Sequence, residues 1–158
     1  MRYLVLGAGL QGRAVLHDLA KSEAVERIVA ADSSSEALAA AAHVRLGTEG
    51  IERRLVDARD EGALARALAG FDVAVEMLPA ELQLCVAKAA LEAGVNLVNC
   101  HYAGELSSLD DEVRAAGLRF LPEAGLDPGV DLVLASVAVH TLDEVHALHS
   151  YGAGFPEP

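Results

Sequence analysis

The sequence predicts an α/β fold in which a parallel sheet carries helices on both faces. Three observations lead there. Short apolar runs alternate with helix-period segments through short connections, which requires parallel strands and right-handed crossovers. A glycine-rich turn, Gly7-Ala8-Gly9-Leu10-Gln11-Gly12, joins the first apolar run to the first helical segment. An acid, Asp32, follows the second apolar run, twenty residues past Gly12. Together they fit the G-x-G-x-x-G fingerprint of a dinucleotide-binding βαβ unit, and with it a Rossmann-type doubly wound sheet of order 3-2-1-4-5-6.

Each element has its own warrant. Arg2 to Leu6 is nearly continuous in apolar residues, as a central strand covered on both faces must be. Gln11 to Lys21 is a helix, with Val15, Leu16 and Leu19 inward and Asp18 and Lys21 outward. Arg27 to Ala31 is the second strand. Ser33 with Glu36 fits a capping box, Ser34 and Ser35 being alternative caps, for an alanine-rich helix from Glu36 to Arg45. Ile51 to Val56 is a third strand, part-exposed because of Arg53 and Arg54. Asp60 to Leu68 is a helix stopped by Gly70. Phe71 to Leu78 is the fourth strand, ended by Pro79, and Glu81 to Glu92 is a helix with Gly94 as its C-cap. Val95 to Cys100 is the fifth strand, Glu105 to Ala116 a helix, and Leu118 to Leu121 the sixth strand. After a Gly125–Gly129 loop, Val130 to Thr141 is apolar on most sides, which predicts a buried helix. Val145 to Tyr151 reads as a strand leading away, and 152–158 as a loop.

The chain has 158 residues, 53% of them hydrophobic, enough for one domain with a core and too apolar for disorder. Its formal net charge of -12 disfavours nucleic acid and anionic membrane surfaces as partners, since both are held by Lys and Arg. Cys85 and Cys100 offer neither a disulfide framework nor a metal spacing, and read as reduced, as in the cytoplasm. No signal peptide is read at the N-terminus, and the longest apolar run, Leu132 to Val139, is too short to span a bilayer. The domain reading is a dinucleotide-binding unit over 1–142, with 143–158 beginning the connection to a second, catalytic domain that this chain lacks.

In an open parallel sheet ligands sit beyond the C-terminal strand ends, so the residues just after each strand are the candidates. Gly7 permits the sharp turn and Gly12 close packing of the helix. Gly9 lets a pyrophosphate approach the backbone, with Leu10 and Gln11 at the helix N-terminus whose amides face it. Asp32, beside Ser33, accepts hydrogen bonds from ribose hydroxyls and repels a 2′-phosphate, which favours NAD over NADP. Asp57 either lies near the adenine or caps a turn, capping being the commoner role. Leu78 and Pro79 line the nicotinamide side. After the fifth strand, Tyr102 can donate or relay a proton and His101 titrates near neutral pH; the pair serves equally well as an aromatic lid. Asp127 binds a substrate ammonium group or caps the next helix, and Glu123 shares that ambiguity. His17 and His43 read as surface residues on helices. The spacing of His140, His146 and His149 fits no metal-binding helical pair, so no metal is assigned.

Four stretches carry a resemblance. They are the glycine turn, Asn99-Cys100-His101-Tyr102, Glu123-Ala124-Gly125-Leu126-Asp127-Pro128-Gly129-Val130-Asp131, and Ser150-Tyr151-Gly152-Ala153-Gly154-Phe155-Pro156-Glu157-Pro158. The chain resembles the N-terminal domain of the saccharopine dehydrogenase (saccharopine reductase) and lysine 6-dehydrogenase family, of which carboxynorspermidine dehydrogenase is a related member. The resemblance implies oxidation or formation of a C–N bond at an amino-acid amine, with hydride passing between that carbon and a nicotinamide. It implies that Tyr102 and Asp127 face the substrate, that an α+β catalytic domain begins near Gly154, and that the whole protein is a homodimer. NADP-using saccharopine reductases lack an acid at the end of the second strand or pair it with basic residues. Asp32 therefore points to an NAD-linked member such as lysine 6-dehydrogenase. A nucleotide-sensing module without chemistry and a polyamine enzyme are the alternative readings.

Overall fold

The computed structural model describes residues 1–152. Its frame is a six-stranded sheet built on β1 (Arg2–Leu6), β2 (Arg27–Asp32), β5 (Glu52–Leu55), β6 (Val73–Glu76), β7 (Asn96–Asn99) and β8 (Phe120–Leu121). The spatial order is β5-β2-β1-β6-β7-β8, with every pairing parallel. Two further strands, β3 (Arg45–Leu46) and β4 (Glu49–Gly50), form a separate antiparallel hairpin that the sequence reading lacks. Without that hairpin, the sheet strands in chain order follow 3-2-1-4-5-6, as the sequence predicts.

The two-residue period of the strands divides the core. On β1, Leu4 and Leu6 join the cluster covered by α3 (Glu61–Leu68) and α4 (Gln83–Ala93), through Leu64, Leu68, Val86 and Ala90. Val5 points the other way, with Leu16 of α1 (Leu10–Leu19) and Leu38 of α2 (Ser35–Ala40). β2 alternates in step, Val29 and Ala31 to the first face, Ile28 and Ala30 to the second. Both faces are thus dry, which is why these strands read as unbroken apolar runs.

Several boundaries differ from the sequence reading. Ser34, not Ser33, caps α2 by accepting the Ala37 amide at 3.2 Å. That helix stops at Ala40, so His43 sits in the following turn, exposed. The predicted helix 105–116 is split into a 3-10 segment, Gly104–Leu109, and α5, Asp110–Ala115. The largest correction concerns α6 (Val130–His140). It forms as a helix, but none of its residues is buried, and Val133, Leu134 and Val137 are more than half exposed. An apolar helix buries itself only where a facing surface exists, and α1 to α5 already cover the sheet. Residues 145–151 form no strand and pair with neither edge of the sheet. The predicted loop at 153–158 lies outside the described residues. No helix among the described residues is long and apolar enough to cross a membrane.

Candidate functional site

The chain leaves β1 towards β2 on one side and returns as β6 on the other, so the C-terminal end of β1 is the switch point of the sheet. Here Gly7 has φ +94°, and a Cβ on it would stand 2.6 Å from the Met77 carbonyl oxygen. A Cβ on Gly12 would collide with the Gly7 carbonyl. Gly12 therefore makes room for the turn itself, where the sequence reading had it packing against the sheet. Around Gly9 the space is open, with no protein atom within 4 Å of where a Cβ would lie.

Gly9 is also the N-cap of α1, and no side chain caps that helix. Its first intrahelical bond runs from the Arg13 amide to the Gly9 carbonyl at 3.0 Å, so the amides of Leu10, Gln11 and Gly12 have no helical acceptor. An uncapped, positive helix end beside an open glycine is a ready anion site. The residues present therefore fit a dinucleotide pyrophosphate.

Asp32 is the last residue of β2. Its Oδ2 accepts the Ala8 amide at 2.7 Å and its Oδ1 the Ser34 amide at 2.8 Å. The carboxylate is thereby fixed between the glycine turn and the next helix, half-buried, and its remaining lone pairs are free to accept hydroxyls. No ion pair among the described residues involves it. Ser33 beside it is exposed. Asp57 accepts the Arg59 amide at 2.9 Å and lies 3.7 Å from the Arg59 guanidinium, which is the turn-capping arrangement.

The other half of the edge brings the later candidates together. A cavity of about 650 Å³ is lined by Gln11 from α1, Met77 and Ala80 after β6, His101 and Tyr102 after β7, and Asp127 after β8. Leu78 and Pro79, between Met77 and Ala80 in the chain, do not line it: Leu78 packs against the core and Pro79 is exposed. The Tyr102 hydroxyl donates to Asp127 Oδ1 at 2.8 Å. That bond, with the negative charge of Asp127 behind it, raises the Tyr102 phenol above its ordinary value; Asp131 and Glu123 add to the effect. Asp127 does not cap α6, whose N-cap is Gly129 without a side-chain bond. Glu123, at φ +60°, accepts the Ala103 amide at 3.0 Å and so ties the two loops together. Among the described residues no Lys or Arg lines the cavity. Residues 148–152 run along α6 and bound a second cavity of about 690 Å³, which shares Leu126 and Asp127 with the first.

The sequence reading missed Glu76. It ends β6 and is fully buried, in register with Asn99 of β7, whose Nδ2 donates to it at 3.0 Å. The sequence reading runs that strand to Leu78, whereas it ends two residues earlier, so Glu76 falls inside the predicted strand instead of at its end.

A family model described as the saccharopine dehydrogenase NADP binding domain matches residues 3–121. The chain belongs to this family. Among curated members, saccharopine dehydrogenase [NADP(+), L-glutamate-forming] of Saccharomyces cerevisiae is 31% identical, over 98% of this chain and 35% of its own length. The mitochondrial alpha-aminoadipic semialdehyde synthase of Mus musculus is 29% identical over 99% of this chain and 17% of its own. The solved apo saccharopine dehydrogenase (L-Glu forming) from S. cerevisiae superposes with a TM-score of 0.72 at 31% identity, covering 92% of this chain and 31% of that one. The chain thus spans about a third of the yeast saccharopine dehydrogenase. Membership fits the open glycine turn, and a nicotinamide dinucleotide is the ligand class that the family carries.

Proposed function

We propose that this chain is the cofactor-binding domain of an oxidoreductase that acts on the CH–NH group of an amino acid and prefers NAD(H) to NADP(H). The observation that carries it is the uncapped N-terminus of α1 with Gly9 open before it, at the switch point of the sheet. When bound, the nicotinamide supplies the hydride acceptor or donor.

The chain's own residues do the rest. The amides of Leu10, Gln11 and Gly12 hold the pyrophosphate, and Gly7 and Gly12 keep the turn tight enough to present them. Asp32 accepts the ribose hydroxyls, and its fixed charge opposes a 2′-phosphate. The family description and the curated names carry NADP; Asp32 is what argues for NAD in this chain. Leu78 and Pro79 line the nicotinamide side. Tyr102 and Asp127 orient a cationic amine, a role favoured by a cavity whose described lining carries the Asp127 carboxylate and no Lys or Arg. Residues 1–142 form this unit, and 143–158 lead towards a catalytic domain. The family resemblance supports a homodimer as the assembled form of the whole protein and a cytoplasmic setting for it.

The test is amine-dependent reduction of the nicotinamide by the whole protein, read by absorbance with NAD and with NADP across lysine, saccharopine and carboxynorspermidine. Turnover with an amino-acid amine supports the reading. Turnover with carboxynorspermidine alone moves the protein to the polyamine branch. Dinucleotide binding without turnover on any amine favours a sensing module.

A further inference from the structure

An acid at the end of an apolar strand ordinarily reaches solvent. Glu76 is instead turned inward. The pleat sends it to the same face as Ala74, whose neighbours include Val86 and Ala90 of α4. Its carboxylate accepts the Leu78 amide at 3.1 Å and the Asn99 side-chain amide at 3.0 Å, and His101 Nε2 stands 3.4 Å away. Burial pushes this carboxyl up, while His101, the Leu78 amide and Asn99 pull it back down.

His101 is held equally closely. Its Nε2 lies 2.8 Å from the Leu78 carbonyl oxygen. A carbonyl only accepts, so Nε2 carries the hydrogen. The neutral ring therefore keeps its lone pair on Nδ1. Among the described residues Nδ1 has no hydrogen-bond partner, and no buried side-chain nitrogen or oxygen lacks one. Nδ1 is therefore accessible, on a ring that lines the 650 Å³ cavity. A buried carboxylate behind an imidazole, with the far nitrogen open, is the arrangement that lets a histidine exchange protons while keeping its orientation.

We propose that His101 is the proton-exchanging residue of this cavity, acting through Nδ1 on an amine substrate, with Glu76 as the positioning residue behind it. The substrate class rests on the function proposed above. A substrate ammonium has no lone pair with which to expel a hydride from its carbon. One of its N–H bonds breaks, the electron pair stays on the substrate nitrogen, and the proton bonds to Nδ1. The imidazolium then carries hydrogen on both nitrogens. Nε2–H stays on the Leu78 carbonyl, and Glu76 lies against the new positive charge. In the amine-forming direction the same proton returns. The other titratable groups that line the cavity with His101 are Cys100 and Tyr102 from its own segment and Asp127 from the segment after β8, while the Glu123 carboxylate is held by the Ala103 amide. α1 and the start of α4 contribute only the uncharged Gln11 and Gln83.

The test is side-chain ¹⁵N NMR of the 158-residue chain across pH, with His101 assigned by through-bond correlation to its backbone. The expected neutral ring has hydrogen on Nε2 and a pyridine-type Nδ1, and it protonates reversibly at Nδ1 with the fold intact. In Glu76→Gln the midpoint moves to lower pH, because the opposing charge 3.4 Å from Nε2 has been removed. Hydrogen on Nδ1 in the neutral ring, a ring that does not titrate, or an unmoved midpoint in a folded Glu76→Gln overturns the proposal. If Glu76→Gln does not fold, the tautomer and titration of the unaltered chain decide alone. NADH and NADPH are titrated into the same sample. Dinucleotide binding with the wrong tautomer removes the Glu76–His101 pair and keeps the domain reading. The predicted histidine with no affinity for either dinucleotide overturns that reading, and the amine substrate with it.

Discussion

The C-terminal edge of the sheet has two halves, each built around one carboxylate. On the β1–β2 side, Asp32 is half-buried and accepts two backbone amides, so its charge is fixed but still reachable. On the β6–β7 side, Glu76 is fully buried and partnered by Asn99, the Leu78 amide and His101. The first arrangement leaves a charge at the open edge of the sheet. The second buries one against another side chain. Two acids at equivalent strand ends thus have opposite surroundings, and the roles proposed for them rest on that difference.

The sharpest way to break this comparison is at the glycine turn on the Asp32 side. Gly12→Ala drives a methyl into the Gly7 carbonyl, and chemical denaturation should show a loss of about 3 kcal/mol together with loss of dinucleotide binding. Gly9→Ala meets no protein atom, so it should unfold like the unaltered chain yet lose most of its affinity in calorimetry. Stability loss in Gly9→Ala equal to that of Gly12→Ala would remove the distinction between the turn and the ligand space.

On the Glu76 side, Asn99→Ala strips the buried carboxylate of a donor and should cost about 1–3 kcal/mol near neutral pH. The pH dependence has a definite sign. The Glu76 carboxyl is raised in the folded chain, so its contribution is fully present below its ordinary value of 4.5 and is lost as pH rises through its folded midpoint. Denaturation midpoints followed upward from pH 4 should fall in the unaltered chain and flatten in Glu76→Gln.

Asp72 gives the opposite slope. Arg2 holds it down to about 2 through side-chain and backbone hydrogen bonds, so its contribution is present above 3.8 and lost as pH falls towards 2. Both partners are exposed, so Asp72→Asn should produce only a small change, visible in acid denaturation below pH 4. The smallest effect is at Tyr102. Asp127→Asn should return its phenol towards 10, seen by ultraviolet titration as the difference from Tyr102→Phe, with little change in stability.

The two halves also differ in how far they can be read from the chain. The Asp32 half is legible because its parts are contiguous: strand, glycines, helix and acid follow one another at fixed spacing, and local sterics set their geometry. The Glu76 half is assembled from three strand ends joined by two crossovers. Asn99 meets Glu76 only through strand register, and Tyr102 meets Asp127 only through the loop after β8. Tyr102, Asp127 and His101 stand out in the sequence as types and positions, but their pairing does not. α6 and the stretch 145–151 depart from the sequence reading for another reason. Apolar composition tells what a segment tolerates, while burial and pairing depend on a facing surface, which the described residues do not supply.

The most direct measurement is calorimetric titration of the chain with NADH and NADPH, beside Asp32→Asn, which removes the charge while keeping the shape. The account predicts tighter binding of NADH, with the preference narrowed or reversed in Asp32→Asn because the 2′-phosphate no longer faces a carboxylate. Tighter NADPH binding by the unaltered chain, or a preference untouched by Asp32→Asn, would contradict it.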